Sequence, residues 1–446
     1  MEKDSWFEKE KSEGRIKEVA LSSIVFEERL YPRKAINPIL VQQYAENLEE
    51  ILSRHNFITI DQEGRLLDGR HRHLAMLKRY EGQDASVPVC ICHTKDDADS
   101  FSAAVKFNST HGKQLTAEEK KRCALSLYCE HRYSLEEIAK MLSVRKQAVS
   151  EWTSKIRQEE KKRLLETVFD LWLACFTCEE IASTTGAPIG TIKRIVADEG
   201  FKSFPGPKRT KLSRFEDFDD ADGTRPIYNE WRFARNENGS AHFGSTVPQI
   251  LERLLYLYSD PFDIVVDPFA GGGTMIDVCK NRLRRYWASD RKPIPERQCD
   301  IRPLDIAREM PPLNNRWSDV RLTFLDPPYW KQAEGRYSND PEDLGNMPLD
   351  QFNDCLAGII NEIARRQSKG FIALLIQPTQ WRAPERRFTD HAFEMMRRVD
   401  EGRLRLENRI ACPLLTQQYS PVMVNWAKEN RKLLVLNREL VVWEIV

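Results

Sequence analysis

The spacing of apolar and polar positions divides the chain into segments of different predicted structure. Alternation at residues 16–25 and two short apolar runs at residues 58–67 predict strands and a hairpin near the amino terminus. Residues 116–200 carry apolar positions at helical spacing and are predicted to form several helices. A continuous apolar run at residues 264–266 and a mainly apolar run at residues 320–325 predict buried strands of an α/β sheet.

The carboxyl-terminal part carries further strand-like runs. Residues 371–376 form another buried run, and residues 404–409, 423–426 and 432–445 are predicted to supply the last strands. Before the sheet-forming part, residues 201–225 contain a Pro-Gly-Pro stretch, then a basic run and an acidic run. Because proline and glycine stop a helix, this segment is predicted to be an exposed, charged linker.

Length and composition restrict the class of protein. The 446 residues are 30% charged and 41% hydrophobic, as in a globular chain of about three domains. Lys and Arg number 68, as do Asp and Glu, so affinity for nucleic acid has to come from local basic patches. No apolar run approaches the roughly 18 residues of a membrane span, and residues 1–5 are too polar for a signal peptide.

Ten scattered cysteines favour a reducing cytoplasm. The CxxC pair, Cys175 and Cys178, lacks the second ligand pair of a zinc site, so no metal is expected.

A carboxylate, two prolines and two aromatic rings follow the run at residues 320–325. A strand that ends in this way places a carboxylate at the carboxyl edge of a sheet, where ligands bind in open α/β folds. The carboxylate and a carbonyl beside proline can accept both hydrogens of an exocyclic amine, while a ring stacks on the base. The amine lone pair is then available to attack a methyl donor directly. The candidate catalytic residues are Asp326, Pro327, Pro328 and Tyr329, with Trp330 or Tyr337 as a second stacking face.

A glycine-rich turn follows the run at residues 264–266. It begins with Asp267 and has neither the Gly-x-Gly-x-x-Gly pattern of dinucleotide folds nor the lysine of a phosphate loop. The next predicted strand ends at Asp290, where a carboxylate is placed to bind ribose hydroxyls. Asp305 lies after the third strand, and Asp300 is a rival for the same position.

The Asp326–Tyr329 tetrapeptide resembles the motif of the DNA amino-methyltransferases, above all the adenine-N6 group. Residues 267–274 resemble the S-adenosylmethionine loop of these enzymes, and residues 242–248 resemble their methionine pocket. The resemblance implies a Rossmann-like class I methyltransferase fold and a bond from Asp305 to the cofactor adenine. The implied S-adenosylmethionine-binding residues are Phe243, Ser245, Thr246, Asp267, Phe269, Ala270, Gly271, Gly273, Thr274, Asp290 and Asp305.

The amino-terminal hairpin leads into residues 69–72, a glycine followed by arginine, histidine and arginine at a strand-to-helix junction. Helix amides and arginine charges at such a junction favour phosphate. This stretch and residues 108–116 resemble the ParB-like, sulfiredoxin-related domain, whose glutamate and first arginine are Arg70 and His71 here. The resemblance implies an α+β domain that binds a nucleotide, CTP in the partition proteins, through Gly69, Arg70 and Arg72. A structural domain that contacts the DNA backbone is the alternative.

Residues 116–200 contain one helical pattern twice. In the first copy Ala139 and Val149 lie ten residues apart on either side of a turn, which is helix-turn-helix spacing. Ala182 and Ile192 repeat that spacing in the second copy. The candidate DNA-binding residues lie on the second helix of each copy: Arg145, Lys146, Gln147, Ser150, Thr191, Lys193 and Arg194. Plain helical hairpins that serve only packing are the alternative.

These segments predict a multidomain chain with α+β, helical and α/β parts. The predicted parts are a ParB-like domain at 1–115, a tandem helix-turn-helix region at 116–200, a charged linker at 201–225 and a methyltransferase domain at 226–446. The predicted function is site-specific methylation of adenine N6 in double-stranded DNA after base flipping, as in restriction–modification. Residues 1–200 are predicted to be needed for site-specific methylation but not for cofactor binding.

Several alternatives stay open at this point. Cytosine-N4 methylation uses the same geometry, whereas cytosine-C5 methylation is excluded because the chain has no Pro-Cys pair. A ParB-like DNA-binding regulator with an inactive methyltransferase domain and a nuclease acting through residues 70–73 are the other classes. No membrane contact or obligate protein partner is expected, and a homodimer stays open. The expected location is a bacterial cytoplasm near the nucleoid, with the gene on a chromosome, phage or plasmid.

Overall fold

The computed structural model describes residues 15–33, 35–81, 83, 85–110, 115–203, 209–218, 227–233, 246–331, 340–380, 387–413 and 419–446. The chain forms two compact units, Met1–Lys162 and Arg163–Val446. The boundary falls inside one long helix, so the two predicted helical repeats belong to different units. The sequence predicts four parts, with boundaries after residues 115, 200 and 225, and this division stays a prediction.

A four-stranded sheet opens the first unit. Its strands are β1 (Ile16–Ala20), β2 (Ile58–Asp61), β3 (Leu66–Asp68) and β4 (Ser86–Cys92), in the order β1-β4-β2-β3. The predicted hairpin is formed by β2 and β3, with Gly64 in the left-handed region at φ +83°. Four helices accompany the sheet: α1 (Pro38–Glu46), α2 (Leu48–Ser53), α3 (Arg70–Arg79) and α4 (Asp97–Thr110). Helices α1 and α2 are separate because Asn47 ends α1 with a side-chain hydrogen bond to the carbonyl of Gln43.

The two helical repeats form matching hairpins. The first uses α6 (Leu135–Met141) and the start of α7 (Lys146–Leu173), after α5 (Ala117–Cys129), and the second uses α8 (Cys178–Thr185) and α9 (Ile189–Ala197). Each hairpin begins with a capping box, led by Ser134 in one copy and Thr177 in the other. The turns contain Ser143 and Gly186 at φ +49° and +69°. Corresponding isoleucines and aliphatic residues are fully buried in both copies: Ile138 and Ile181, Val149 and Ile192.

A seven-stranded sheet forms the centre of the second unit. Its strands are β5 (Ile264–Asp267), β6 (Arg285–Asp290), β7 (Arg302–Pro303), β8 (Val320–Leu325), β9 (Gly370–Ile376), β12 (Leu404–Pro413) and β13 (Asn437–Ile445). The order is β12-β13-β9-β8-β5-β6-β7, in which the five strands from β9 to β7 are parallel, β13 is antiparallel to β9, and β12 is antiparallel to β13. A small separate sheet pairs β10 (Thr379–Gln380) with β11 (Phe388–Thr389). The helices are α10 (Pro248–Tyr258), α11 (Thr274–Asn281), α12 (Leu349–Arg366), α13 (His391–Arg398) and α14 (Pro421–Glu429).

The second helical hairpin shares the hydrophobic core of this sheet. Ile181 and Ile192 belong to the same buried cluster as Val265 of β5. Arginines of the sheet unit also donate hydrogen bonds to carbonyls at the end of α7, from Arg302 to Ala174 at 3.1 Å, for example. The hairpin is therefore a structural part of the second unit, which separates it from the first copy.

Two sequence predictions for the second unit are wrong. Residues 423–426 lie in helix α14, not in a strand, because Ser420 caps the helix and Pro421 occupies its first turn. Residues 209–218 of the predicted exposed linker are docked on the unit, with Leu212 fully buried. The guanidinium of Arg284, itself fully buried, donates hydrogen bonds to the carbonyls of Lys211 and Leu212.

Within the part of the chain described here, no helix combines the length and the apolar character that a membrane crossing requires.

Candidate functional site

Acidic residues stand at the carboxyl ends of neighbouring parallel strands. Asp267 is the last residue of β5 and Asp290 is the last residue of β6, while Asp326 directly follows β8. Because β6, β5 and β8 are adjacent and parallel, the three carboxylates reach the same edge of the sheet. The predicted catalytic turn, residues 326–329, and the glycine-rich turn, residues 267–274, therefore meet at one edge of the sheet.

Hydroxyl groups hold both carboxylate oxygens of Asp326. Tyr329 donates to Oδ1 at 3.0 Å, and the hydroxyl of Thr246 donates to Oδ2. Burial raises the pKa of Asp326, while the Thr246 bond, the charge of Arg438 and the Tyr329 bond oppose that rise. Burial also raises the pKa of Tyr329 well above its ordinary value, so the phenol stays protonated and acts as a donor. Each carboxylate oxygen keeps a second lone pair for an amine hydrogen.

The predicted methionine pocket is described only in part. Phe243 and Ser245 lie outside the described residues. Thr246 is 6% exposed, and its hydroxyl contacts Asp326. The segment before α10 thus reaches the carboxylate that the sequence predicted to be catalytic.

Asp267 is buried close to two other carboxylates. It is 4% exposed and accepts a hydrogen bond from the amide of Phe269 at 3.1 Å. Burial raises the pKa of Asp267 well above its ordinary range, and the charges of Asp326 and Asp290 raise it further against the Phe269 bond. Such a concentration of carboxylates favours a positively charged ligand.

The glycine-rich turn is held against the end of β6. The amide of Gly271 donates to the carboxylate of Asp290 at 3.0 Å. Gly271 and Gly273 have φ values of +50° and +81°, and a Cβ at Gly273 would lie 3.3 Å from Nε of Arg297. A side chain there would be strained and would crowd Arg297, so the turn requires glycine at this position. The other predicted residues of this turn and of the start of α11 lie beside them: Phe269, Ala270 and Thr274.

The two candidates for the third acidic position differ in their partners. Asp305 lies two residues beyond β7 and faces Arg291 at 3.4 Å and Arg308 at 3.5 Å. Asp300 pairs with Lys280 at 2.9 Å, and its pKa is lowered because this and other cationic bonds outweigh its burial. Asp300 is thus held in a half-buried ion pair, and both acids have cationic partners, so the assignment of Asp305 to the cofactor adenine stays a prediction.

Trp330 is not a second stacking face, contrary to the sequence prediction. It is 1% exposed, and its indole N–H donates to the carbonyl of Met347 at 2.9 Å. The hydroxyl of Thr379 donates to the Trp330 carbonyl at 3.2 Å and lies 2.8 Å from Nε2 of the buried His391. The tryptophan thus anchors the catalytic turn in the core, while Tyr337 lies outside the described residues.

Sequence reasoning missed Arg438. This arginine is the second residue of β13, is 5% exposed, and makes a side-chain hydrogen bond with Tyr329. Its charge also acts on Asp326. An arginine at the start of a strand-like run is visible in the sequence, but its neighbours depend on how β13 pairs with β9.

The predicted phosphate residues of the first unit are engaged within the chain. Gly69 precedes α3 in the left-handed region at φ +91°. Arg72 forms an ion pair with Asp68 at 2.8 Å. The guanidinium of Arg70 lies 3.5 Å from the ring centroid of Phe26, and burial lowers its pKa. These contacts give both arginines structural partners at the strand-to-helix junction.

The candidate DNA-binding side chains lie mostly at the surface. The exposed ones are Arg145, Lys146, Gln147, Lys193 and Arg194, and the half-buried ones are Ser150 and Thr191. Lys146 pairs with Glu136, and Lys193 pairs with Glu179 at 3.3 Å. Exposed ion pairs of this kind are weak, so they exchange readily for phosphate contacts.

The N6_N4_Mtase family model, described as DNA methylase, matches residues 40–293, more than half of the chain. The matched range contains the glycine-rich turn and ends before Asp326. Part of the chain is also similar to the Type II methyltransferase M.XycI of Xanthomonas campestris pv. cyanopsidis, with 30% identity over 74 residues. That similarity covers 17% of this chain and 25% of the other protein, so the chain matches about a quarter of this curated relative.

Solved structures of a partition protein are similar to part of the chain. The C-terminally truncated chromosome-partitioning protein ParB from Caulobacter crescentus, complexed to the centromeric parS site, is 16% identical with a TM-score of 0.24. That similarity covers 42% of this chain and 88% of the ParB chain. The same protein complexed with CTP-gamma-S is 14% identical with a TM-score of 0.19, over 42% of this chain and 96% of the other. TM-scores this low do not establish a shared fold.

Proposed function

Because the chain belongs to the N6_N4_Mtase family of DNA methylases, we propose that it transfers a methyl group from S-adenosylmethionine to the exocyclic N6 of adenine in double-stranded DNA. The observation that carries this proposal is the position of Asp326 at the same sheet edge as Asp267 and the glycine-rich turn. The carboxylate, which is held by two hydroxyls, can accept a hydrogen bond from the amine of a flat base, and the aromatic ring beside it can stack on that base.

Each residue of the catalytic turn has a distinct task in the proposal. Asp326 accepts one amine hydrogen, the carbonyl next to Pro327 accepts the other, and the ring of Tyr329 stacks on adenine. When bound, S-adenosylmethionine supplies the methyl group: the amine lone pair forms the N–C bond as the C–S bond breaks and its electrons return to sulfur. The methylated nitrogen then loses one proton, and Asp326 is placed to accept it before water carries it away.

The residues of the glycine-rich edge suit S-adenosylmethionine. The cofactor carries a sulfonium and an ammonium charge. Burial, together with the nearby charges of Asp326 and Asp290, raises the pKa of Asp267. A bound cation would offset both effects. Asp267 would hold the ammonium group, Gly271 and Gly273 would admit the nucleoside, and Asp290 would bind the ribose.

Flipping the target base limits how much affinity the catalytic turn can supply. Extrusion from the duplex costs a few kcal/mol, and stacking on one aromatic ring returns about 1–3 kcal/mol. Because Trp330 is buried, it adds no second face to Tyr329. Affinity for DNA is therefore expected to come from other parts of the chain.

The two helical hairpins are the proposed source of that affinity. Their second helices carry the exposed cations Arg145 and Lys146 in one copy and Lys193 and Arg194 in the other. In this proposal they bind phosphates and read bases, and the amino-terminal region aids targeting. Nucleotide binding at Gly69, Arg70 and Arg72, with CTP as the candidate, is a separate proposal, in which the phosphates would have to displace the partners that both arginines have in the chain.

One assay tests the proposed reaction. The full chain is incubated with labelled S-adenosylmethionine and a mixture of genomic DNAs, and the DNA is digested to nucleosides and separated. The proposal expects label in N6-methyldeoxyadenosine. Label in no nucleoside, or DNA cleavage without label, contradicts it.

Cytosine-N4 methylation is the second candidate because the matched family is named for both positions. The amine, the carboxylate and the stacking ring serve either base in the same way. Label in N4-methyldeoxycytidine would select this candidate in the same digest.

A further inference from the structure

We propose that Arg438 is a positioning residue of the methyl-transfer site, which fixes the hydroxyl of Tyr329 and keeps Asp326 in its anionic form. This inference rests on the proposed function, because it assigns a residue to that same site. Neither the family motif nor the spacing of the catalytic turn contains Arg438.

The register of the sheet brings Arg438 to the catalytic edge. β13 runs antiparallel to β9, and Glu439 pairs with Ile376, the last residue of β9. The start of β13 therefore lies at the carboxyl edge of the parallel strands, where Asp326 follows β8. An arginine distant in the sequence becomes a neighbour of the catalytic turn.

Burial makes the position of Arg438 costly unless it has a specific partner. A guanidinium that is 5% exposed has lost most of its hydration, and its Nε has no hydrogen-bond partner in the structure. The compensation comes from the hydrogen bond with Tyr329 and from the charge of Asp326.

A directed chain of hydrogen bonds follows from these contacts. A guanidinium only donates, so Arg438 donates to the oxygen of Tyr329, and the Tyr329 hydroxyl donates to Oδ1 of Asp326 at 3.0 Å. The direction of the phenolic O–H is thereby fixed toward the carboxylate. The ring that stacks on the base and the carboxylate that binds its amine are thus held in one arrangement.

Two other titratable groups lie close to this series of hydrogen bonds. Asp267 on β5 is a second carboxyl group near Asp326, and burial raises its pKa well above the ordinary range. Cys412 on β12 is buried beside Arg438, and burial raises its pKa to about 12, so the thiol adds no charge at neutral pH. Arg438 is the cation that offsets the burial of Asp326.

The test measures the pH profile of the single-turnover methylation rate with saturating S-adenosylmethionine. The variants are Arg438→Met and Arg438→Lys. The matched control is Arg409→Met on the neighbouring strand β12, where an exposed arginine pairs with Glu439. The binding of S-adenosylmethionine and the folding transition are measured for each.

The expected results separate positioning from simple support of the fold. Arg438→Met lowers the rate about 100-fold at neutral pH. The acid limb of its pH–rate profile moves up by about one to three pH units because Asp326 loses a nearby cation. Affinity for S-adenosylmethionine stays at the wild-type value. Arg438→Lys keeps the acid limb but is slower than wild type, and Arg409→Met behaves as wild type.

Three outcomes overturn the proposal. One is a folded Arg438→Met variant whose rate falls equally at every pH, or does not fall. If Arg438→Met fails to fold, a folded Arg438→Lys variant with the wild-type rate at every pH overturns it. A wild-type chain that methylates no DNA ends the proposed function, and this inference with it.

Discussion

The hydroxyl of Tyr329 donates a hydrogen bond to Oδ1 of Asp326 at 3.0 Å. This contact joins the ring that stacks on a base to the carboxylate that binds its amine. The hydroxyl of Thr246 holds the second oxygen of the same carboxylate. The two hydroxyls therefore set the orientation of Asp326 before any base arrives.

Tyr329 variants separate stacking from orientation of the carboxylate. Tyr329→Ala removes both, and the loss of about 1–3 kcal/mol of stacking corresponds to a roughly 5- to 150-fold weaker hold on the flipped base. Tyr329→Phe keeps the ring and removes only the hydrogen bond, so we expect a smaller loss of rate and a shift of the acid limb to higher pH. Single-turnover methylation across pH measures both effects. Equal rates for the two variants would refute the stacking role.

The matched isoleucines Ile138 and Ile181 test which unit each helical hairpin stabilises. Both are fully buried, but Ile138 packs within the first unit and Ile181 within the core of the catalytic sheet. Truncation to alanine should cost about 2–5 kcal/mol in each case. S-adenosylmethionine raises the melting transition of the unit that binds it, which identifies that transition.

We expect Ile181→Ala to lower the transition that the cofactor raises, and Ile138→Ala to lower the other one. The reverse assignment would contradict the division at residues 162 and 163. The result also bears on the predicted independence of cofactor binding from residues 1–200. Because residues 163–200 supply part of the core of the second unit, a cut before residue 163 is the better test of that prediction.

His391 gives the second unit a pH-dependent stability. The ring is fully buried behind the catalytic turn, and burial lowers its pKa from 6.5 to about 4. His391 is therefore protonated below about pH 6.5 in the unfolded chain, but only below about pH 4 in the folded chain. Stability is therefore unaffected above about pH 6.5 and falls as the pH drops below that value, and the loss amounts to about 2 kcal/mol at pH ~5.

Urea unfolding of the second unit at about pH 7.5 and about pH 5 measures the loss. His391→Gln removes the titration and should reduce the difference between the two pH values. The exposed His93 of the first unit is the control, since His93→Gln should keep the wild-type difference. A His391→Gln variant with the full wild-type difference would show that another group is responsible.

Local signals in the sequence predicted much of the candidate site. The glycine-rich turn, the acids at the ends of β5 and β6, and the capping boxes of the hairpins depend on neighbouring residues, and the structure contains them. The strand predicted at residues 423–426 failed because Ser420 and Pro421 begin a helix there, a local signal that outweighs three apolar residues.

The remaining features depend on contacts between distant parts of the chain. Arg438 meets Asp326 only because β13 inserts next to β9. Arg284 holds the segment near Leu212 through carbonyl groups, which carry no sequence signature. Trp330 looks like a stacking residue in the sequence, but its ring is buried in the core behind the catalytic turn. Spacing along the chain does not contain such information.

The most direct test of the central claim compares the wild-type chain with Asp326→Ala and with Asp319→Ala, an exposed acid just before the same strand. Each protein is assayed for binding of S-adenosylmethionine and for labelled nucleosides after digestion of DNA. We expect Asp326→Ala to bind the cofactor and DNA yet yield no N6-methyldeoxyadenosine, while Asp319→Ala matches wild type. An Asp326→Ala variant that still methylates adenine at the wild-type rate would contradict the account.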